Sequence, residues 1–170
     1  MREMAGAALV LATGYGIGKV LAGPFARRPG QLRDLQMAIA VLDTEIWHGC
    51  SMLPDAMSRA ARAVADPAAV LFAETARLLA PGLGAAEAWS RAVDRFYPDS
   101  ACDEDDRAIL LSLGPLLGRS DREDQRRHLQ LLRERLAGQE ARAMVARQRY
   151  ERLWSYVGVL SAAAVILVFA

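Results

Sequence analysis

Apolar residues run almost unbroken at both ends of the chain and fall into a periodic pattern between them. From Met4 to Ala22 only Tyr15 and Lys19 can ionise. At ~1.5 Å per residue a helix of that stretch measures roughly 28 Å, close to the hydrocarbon thickness of a bilayer. Lys19 lies near one end, where its stem can stay in the apolar layer while its ammonium reaches water. From Leu153 to Ala170 no side chain is charged, and Trp154 and Tyr156 stand at the start, as interfacial aromatics do. The pattern therefore predicts a membrane helix at each end, in residues 1–26 and 153–170, around a middle domain of residues 27–152.

The first segment has a rival reading. Arg2, a short apolar run and Val20-Leu21-Ala22 ahead of Gly23 also resemble a cleavable signal peptide. Lys19 sits badly in the apolar region of such a peptide, and Arg27 and Arg28 just beyond the cut disfavour export. Orientation follows from the same residues. Arg27, Arg28 and Arg33 follow the first span, and Arg142, Arg147, Arg149 and Arg152 precede the second, which predicts a cytoplasmic middle domain. Gly14-Tyr-Gly16-Ile-Gly18-Lys19 looks superficially like a phosphate loop, but Thr13 and Val20 break the Walker pattern and no strand precedes it. Gly14 and Gly18, with Gly158 in the second span, suit close helix packing within a membrane instead.

Within the middle domain the spacing is helical. Leu32, Leu35, Ile39, Leu42 and Ile46 recur at intervals of three and four, lining one face of a helix that ends near Gly49. Pro54 suits the first turn of a second helix, to about Ala65. Asp66-Pro67 reads as a cap and first-turn proline for a third, which Pro81-Gly82 stops. A fourth runs from about Gly84 to Tyr97, carrying Trp89, Val93 and Phe96, and a fifth from Asp103 to Leu113. Ser120-Asp-Arg-Glu123 has the form of a capping box opening the longest helix. Leu129, Leu132 and Leu136, then Ala137, Ala141 and Met144, form its expected apolar stripe, and the helix is expected to enter the membrane unbroken. No stretch alternates with a period of two, so the fold class is all-α: a bundle of about six helices flanked by two transmembrane helices.

Composition removes several functions. The 170 residues carry a formal net charge of +1 and 6% aromatic residues, which supplies neither a field nor stacking platforms for nucleic acid. Cys50 and Cys102 form no C-x-x-C pair and are too few for a disulfide framework. His48, Cys50 and His128 have neither zinc spacing nor a pairing of nucleophile and base. No enzyme site, metal or cofactor is expected. The acidic run Asp103, Glu104, Asp105 and Asp106 lacks the glycine and final glutamate of a calcium loop; at a helix start it favours the helix dipole, and it can also dock a basic partner. Glu45 lies on the edge of the first apolar face and needs a cation, from Arg62, Arg126, Arg127 or another subunit.

Taken together, several segments resemble the stage III sporulation protein AB family of endospore-forming bacteria, over nearly the whole chain. They are the apolar amino-terminal span, Arg28-Pro29-x-Gln31-Leu32-Arg33-x-Leu35, Leu42-x-x-Glu45-Ile46-x-x-Gly49 and Leu53-Pro54-x-Ala56. Further on come Leu71-Phe72, Trp89, Leu113-Gly114, Leu117-Gly118-x-Ser120-Asp121 with Gln125, and Leu153 with a Gly158-bearing tail. Met52 departs from the family, which usually has proline before the leucine. The resemblance implies a non-catalytic membrane component of the sporulation channel between mother cell and forespore, needed for late development. It also implies a soluble domain similar to the cytoplasmic domain of the type II secretion F protein. The implied partners are the companion ATPase, stage III sporulation protein AA, and other channel subunits, with membrane lipid around the spans and no small-molecule substrate. Two other readings compete: a membrane-bound enzyme acting on lipid or peptide with His48 or His128 as base, and an exported, tail-anchored adaptor.

Overall fold

The computed structural model describes residues 2–48, 52–117 and 122–169. Among the described residues there are six α-helices and no strand: α1 (Arg2–His48), α2 (Leu53–Arg62), α3 (Ala68–Leu79), α4 (Ala85–Phe96), α5 (Glu104–Leu111) and α6 (Arg122–Phe169). Two single 3-10 turns, Tyr97–Asp99 and Gly114–Leu116, flank α5. The chain divides into two compact units, residues 1–27 with 142–170, and residues 28–141.

The first unit carries the helical backbone of both expected spans. Among the described residues no helix is long and apolar enough to cross a membrane. The side chains of residues 2–22 and 154–169 lie outside the described residues, and with them the surroundings of Gly14, Gly18 and Gly158. Within this unit Phe25 stacks on Tyr150, ring centroids 4.2 Å apart and planes 21° from parallel.

In the second unit Leu32, Leu35, Ile39 and Leu42 of α1 are fully buried, as their spacing requires, whereas Ile46 at the end of that stripe is half-buried. Each such side chain contributes about 1.5–3 kcal/mol relative to exposure. Leu129, Leu132 and Leu136 of α6 are buried too. Beyond them the expected stripe is wrong: Ala137, Ala141 and Met144 are exposed, and burial continues through Gln139 and Ala143. The alternation of three and four continues through those two positions, and a buried glutamine hides the stripe from a count of apolar residues.

The short helices close the unit. Pro54 lies in the first turn of α2 as expected. Asp66-Pro67 is a cis peptide, and Asp66 supplies no cap; Pro67 itself occupies the capping position and α3 begins at Ala68. At the other end of α3 the turn is made by Gly82, whose φ of +90° favours glycine. Phe72 of α3 meets Trp89 of α4 edge to face at 5.6 Å, and the buried Trp89 indole donates to the Leu110 carbonyl at 2.7 Å. That bond satisfies the one polar atom of a large apolar side chain. Gly114 lies against α4 so closely that a Cβ there would stand 3.3 Å from the Ala86 carbonyl oxygen. The capping box expected at Ser120–Glu123 falls partly outside the described residues, since Ser120 and Asp121 are among those not described.

Candidate functional site

Two clusters of acids and arginines lie along α1 in residues 28–141, about 25 Å apart on the helix axis. The first centres on Arg28. Its Nε donates to Asp106 Oδ2 at 2.8 Å and its Nη2 to Asp106 Oδ1 at 3.0 Å, a bidentate pair with a carboxylate that is fully buried. Nη2 also reaches Gln139 Oε1 at 3.2 Å and Asp103 Oδ2 at 2.6 Å. Asp103 and Asp106 cap α5 reciprocally, each carboxylate accepting the other's amide at 3.0 Å. One guanidinium thus joins α1, the start of α5 and the buried stripe of α6. Burial alone would lower the pKa of Arg28, but the hydrogen bond and charge of Asp106, aided by Asp103, outweigh it and hold it above its ordinary value.

Neighbouring polar groups extend this lock. Gln31 Oε1 accepts the Ala101 amide at 2.6 Å, and Glu140 accepts from Arg33 at 2.6 Å and from Gln36 at 2.8 Å. Buried beside it, the Cys102 thiol is pushed up to about 12, by burial first and then by the Asp106 charge, so it stays protonated and inert. The four acids of the run therefore separate. Asp106 is consumed inside the fold and Asp103 faces Arg28, whereas Glu104 accepts the Tyr97 hydroxyl at 3.1 Å and Asp105 is exposed.

The second cluster is partly open to solvent. Glu45 Oε2 pairs with Arg59 Nη1 at 2.6 Å. Among the described residues its partner is thus Arg59, one turn before Arg62 on α2, and not the expected Arg62, Arg126 or Arg127. The guanidinium of Arg126 lies 4.4 Å over the ring of Trp47, which is 49% exposed. Arg126 Nε stands 4.0 Å from Asp43 Oδ1, and neither of these two buried atoms has a hydrogen-bond partner among the described residues. Next along the chain, at the start of α2, Met52 is 77% exposed.

Among the described residues no group of His, Cys, Asp and Glu could hold a metal ion. His128 Nδ1 lies 2.7 Å from the Asp124 carbonyl of its own helix, and the His48 side chain and Cys50 lie outside the described residues. What the geometry offers is one internal lock and one exposed corner rich in the Trp, Arg and Met that interfaces favour.

The signature of the family described as Stage III sporulation protein AB matches residues 3–170. The chain belongs to the stage III sporulation protein AB family. It is 27% identical to Stage III sporulation protein AB of Bacillus subtilis (strain 168) over 168 residues, 98% of each chain. A solved structure of Stage III sporulation protein AB matches with a TM-score of 0.68 at 28% identity, covering 72% of this chain and 97% of that one. Family membership gives the quoted motifs a structural meaning in this chain. Arg28, Gln31 and Arg33 of the first motif build the lock, while Glu45 of the second sits at the exposed corner. Gln125 of a later motif donates to the Leu116 carbonyl at 3.2 Å, tying the start of α6 to the turn before it.

The sequence alone did not reveal two of these contacts. Asp103-x-x-Asp106 carries the spacing of a capping box, a signal present in the residues but read as a helix-dipole effect or a docking patch for a basic partner. The Trp47–Arg126 contact leaves no local signal, because the two residues belong to different helices and an exposed tryptophan looks in sequence like a buried one.

Proposed function

We propose that this chain is a non-catalytic platform subunit of a secretion-like channel complex made in the mother-cell membrane during sporulation. Residues 1–26 and 153–170 span that membrane. The unit of residues 28–141 faces the cytoplasm, where it docks an ATPase similar to stage III sporulation protein AA and fellow channel subunits. The observation that carries the docking part is the Glu45–Trp47 corner. A half-exposed tryptophan under the guanidinium of Arg126 and an ion pair at Glu45 lie near the end of α1, and Met52, 77% exposed, stands just ahead of α2. Tryptophan and arginine dominate binding energy where a partner excludes water around them. Asp43 Oδ1 and Arg126 Nε, 4.0 Å apart and without a hydrogen bond among the described residues, fit the same reading, because a partner that shifts Arg126 can supply such bonds. A standard interface of ~800 Å² per partner is within reach of a unit this size.

Two measurements test the reading. A reporter inserted at Pro81–Gly82, an exposed turn, is expected to be active only in its cytoplasmic form; activity of an external reporter there would exclude ATPase docking. Trp47→Ala is expected to abolish capture of the ATPase by the full-length chain while the chain remains in the membrane fraction, and unimpaired capture would remove this corner from the interface.

A further inference from the structure

Formal charge is divided unequally between the two units. Residues 1–27 with 142–170 hold seven basic and two acidic residues, a formal +5, while residues 28–141 hold fourteen and eighteen, a formal −4. On α6 the excess has a definite place. Arg142, Val145, Arg149, Arg152 and Leu153 follow one another at helical spacing, so their side chains fall within one arc of the helix. All five are exposed, Val145 at 67% and Leu153 at 53%. The stripe ends where the apolar run of residues 153–170 begins, and Glu151 is the single acid from Arg142 to Leu153. In the same unit the stacked Phe25 and Tyr150 supply an aromatic pair, and Phe25 is itself exposed.

We infer that the Arg142–Arg149–Arg152 stripe of α6, with Val145 and Leu153 between and beside the arginines, binds the anionic headgroups of a phospholipid bilayer. Single exposed apolar residues are ordinary on a solvated face, but here valine and leucine share one arc with three arginines directly ahead of an apolar run. At a headgroup boundary both kinds of residue are satisfied, the apolar ones among the acyl chains and the guanidinium forks on phosphate oxygens. Arginines directly ahead of an apolar helix lie within a Debye length of the anionic surface, where attraction is strongest. The acidic balance of residues 28–141 gives that unit no attraction for the same surface. This inference rests on the membrane reading proposed above and names the lipid chemistry that reading lacks.

The test uses the full-length chain purified in a neutral detergent, with phosphatidylglycerol or phosphatidylcholine added and bound lipid counted by native mass spectrometry. Phosphatidylglycerol is expected to bind preferentially, less as salt is raised, and about tenfold or more weakly to R142Q/R149Q/R152Q. A charge-retaining R142K/R149K/R152K variant should keep most of that binding, and unchanged circular dichroism in both variants keeps a folding defect from imitating the result. Equal binding of the two lipids, phosphatidylglycerol binding unchanged by the glutamine variant, or polyglutamate bound as tightly as phosphatidylglycerol would each overturn the inference, the last pointing to an acidic protein face. Alkaline carbonate extraction of cell membranes separates this from the spanning reading. A chain that resists extraction yet shows no lipid preference retires the headgroup site alone; one that is extracted yet prefers phosphatidylglycerol retires the spans alone.

Discussion

The two acid–arginine clusters on α1 use the same chemistry for opposite ends. At Arg28 the carboxylate of Asp106 is fully buried and every described contact of the guanidinium is made inside the unit. At Glu45 the paired arginine is half exposed, and the nearby Arg126 spends its charge on the face of an exposed tryptophan. Burial separates them. A buried pair is costly to break because its remaining partner has no water to turn to, whereas a surface pair changes partners cheaply. The first cluster is therefore suited to holding three helices in register and the second to meeting another protein.

The largest effect tests that contrast directly. Arg28→Met leaves Asp106 buried and unpaired, and should cost about 3–5 kcal/mol in urea unfolding of the purified chain. R28M/D106N, which removes the charge but keeps an acceptor for the Asp103 amide, should recover part of that loss. A cost below 1 kcal/mol would place the Arg28 cluster with ordinary surface pairs. Cys102 reports the same lock. Its raised folded pKa means that its contribution to stability is complete below the ordinary thiol range, near ~8.5, and is lost as pH rises toward about 12. In a C50S background Cys102 should resist alkylation at pH 8 and become reactive when R28M opens the unit. Rapid alkylation of the otherwise unaltered chain would show that the cluster is not closed.

Trp47→Ala comes next and should reverse the balance. Losing the contact with Arg126 should cost the fold about 0.5–1 kcal/mol, since the ring is half exposed. Partner binding measured by titration should fall by roughly 30-fold or more if Trp47 anchors the interface. The reverse result, a large loss of stability with binding intact, would make both clusters structural.

Periodicity alone was enough to read the inward face of residues 32–42 in α1 and of α4, because Leu32, Leu35, Ile39 and Leu42, like Trp89, Val93 and Phe96, are apolar wherever the helix turns inward. It failed on α6, where the inward position after Leu136 is Gln139, a residue whose burial makes sense only once Arg28 is known to meet it. The lock itself was not legible: Arg28 and Asp106 are 78 residues apart, and no local rule pairs them. Glu45 was expected to need a cation from Arg62, Arg126, Arg127 or another subunit, and the structure pairs it with Arg59. Choosing Arg59 over Arg62 depended on which face of α2 adjoins α1, and that is decided by tertiary packing.

The smallest effect on stability is also the sharpest test of what Glu45 does. Glu45→Arg breaks a surface pair and should cost ~0.2–1 kcal/mol, less at high salt. Adding Arg59→Glu restores the pair with its charges exchanged, so the stability loss should be recovered in either case. Partner binding separates the roles. If Glu45 serves only to fix α2 against α1, E45R/R59E binds like the unaltered chain. If its carboxylate meets the partner, the double variant presents the wrong charge at that point and binding stays low although the fold is repaired. The latter is expected, because Glu45 lies two residues from Trp47 at the exposed corner, and the comparison needs only one binding titration on each of the three chains.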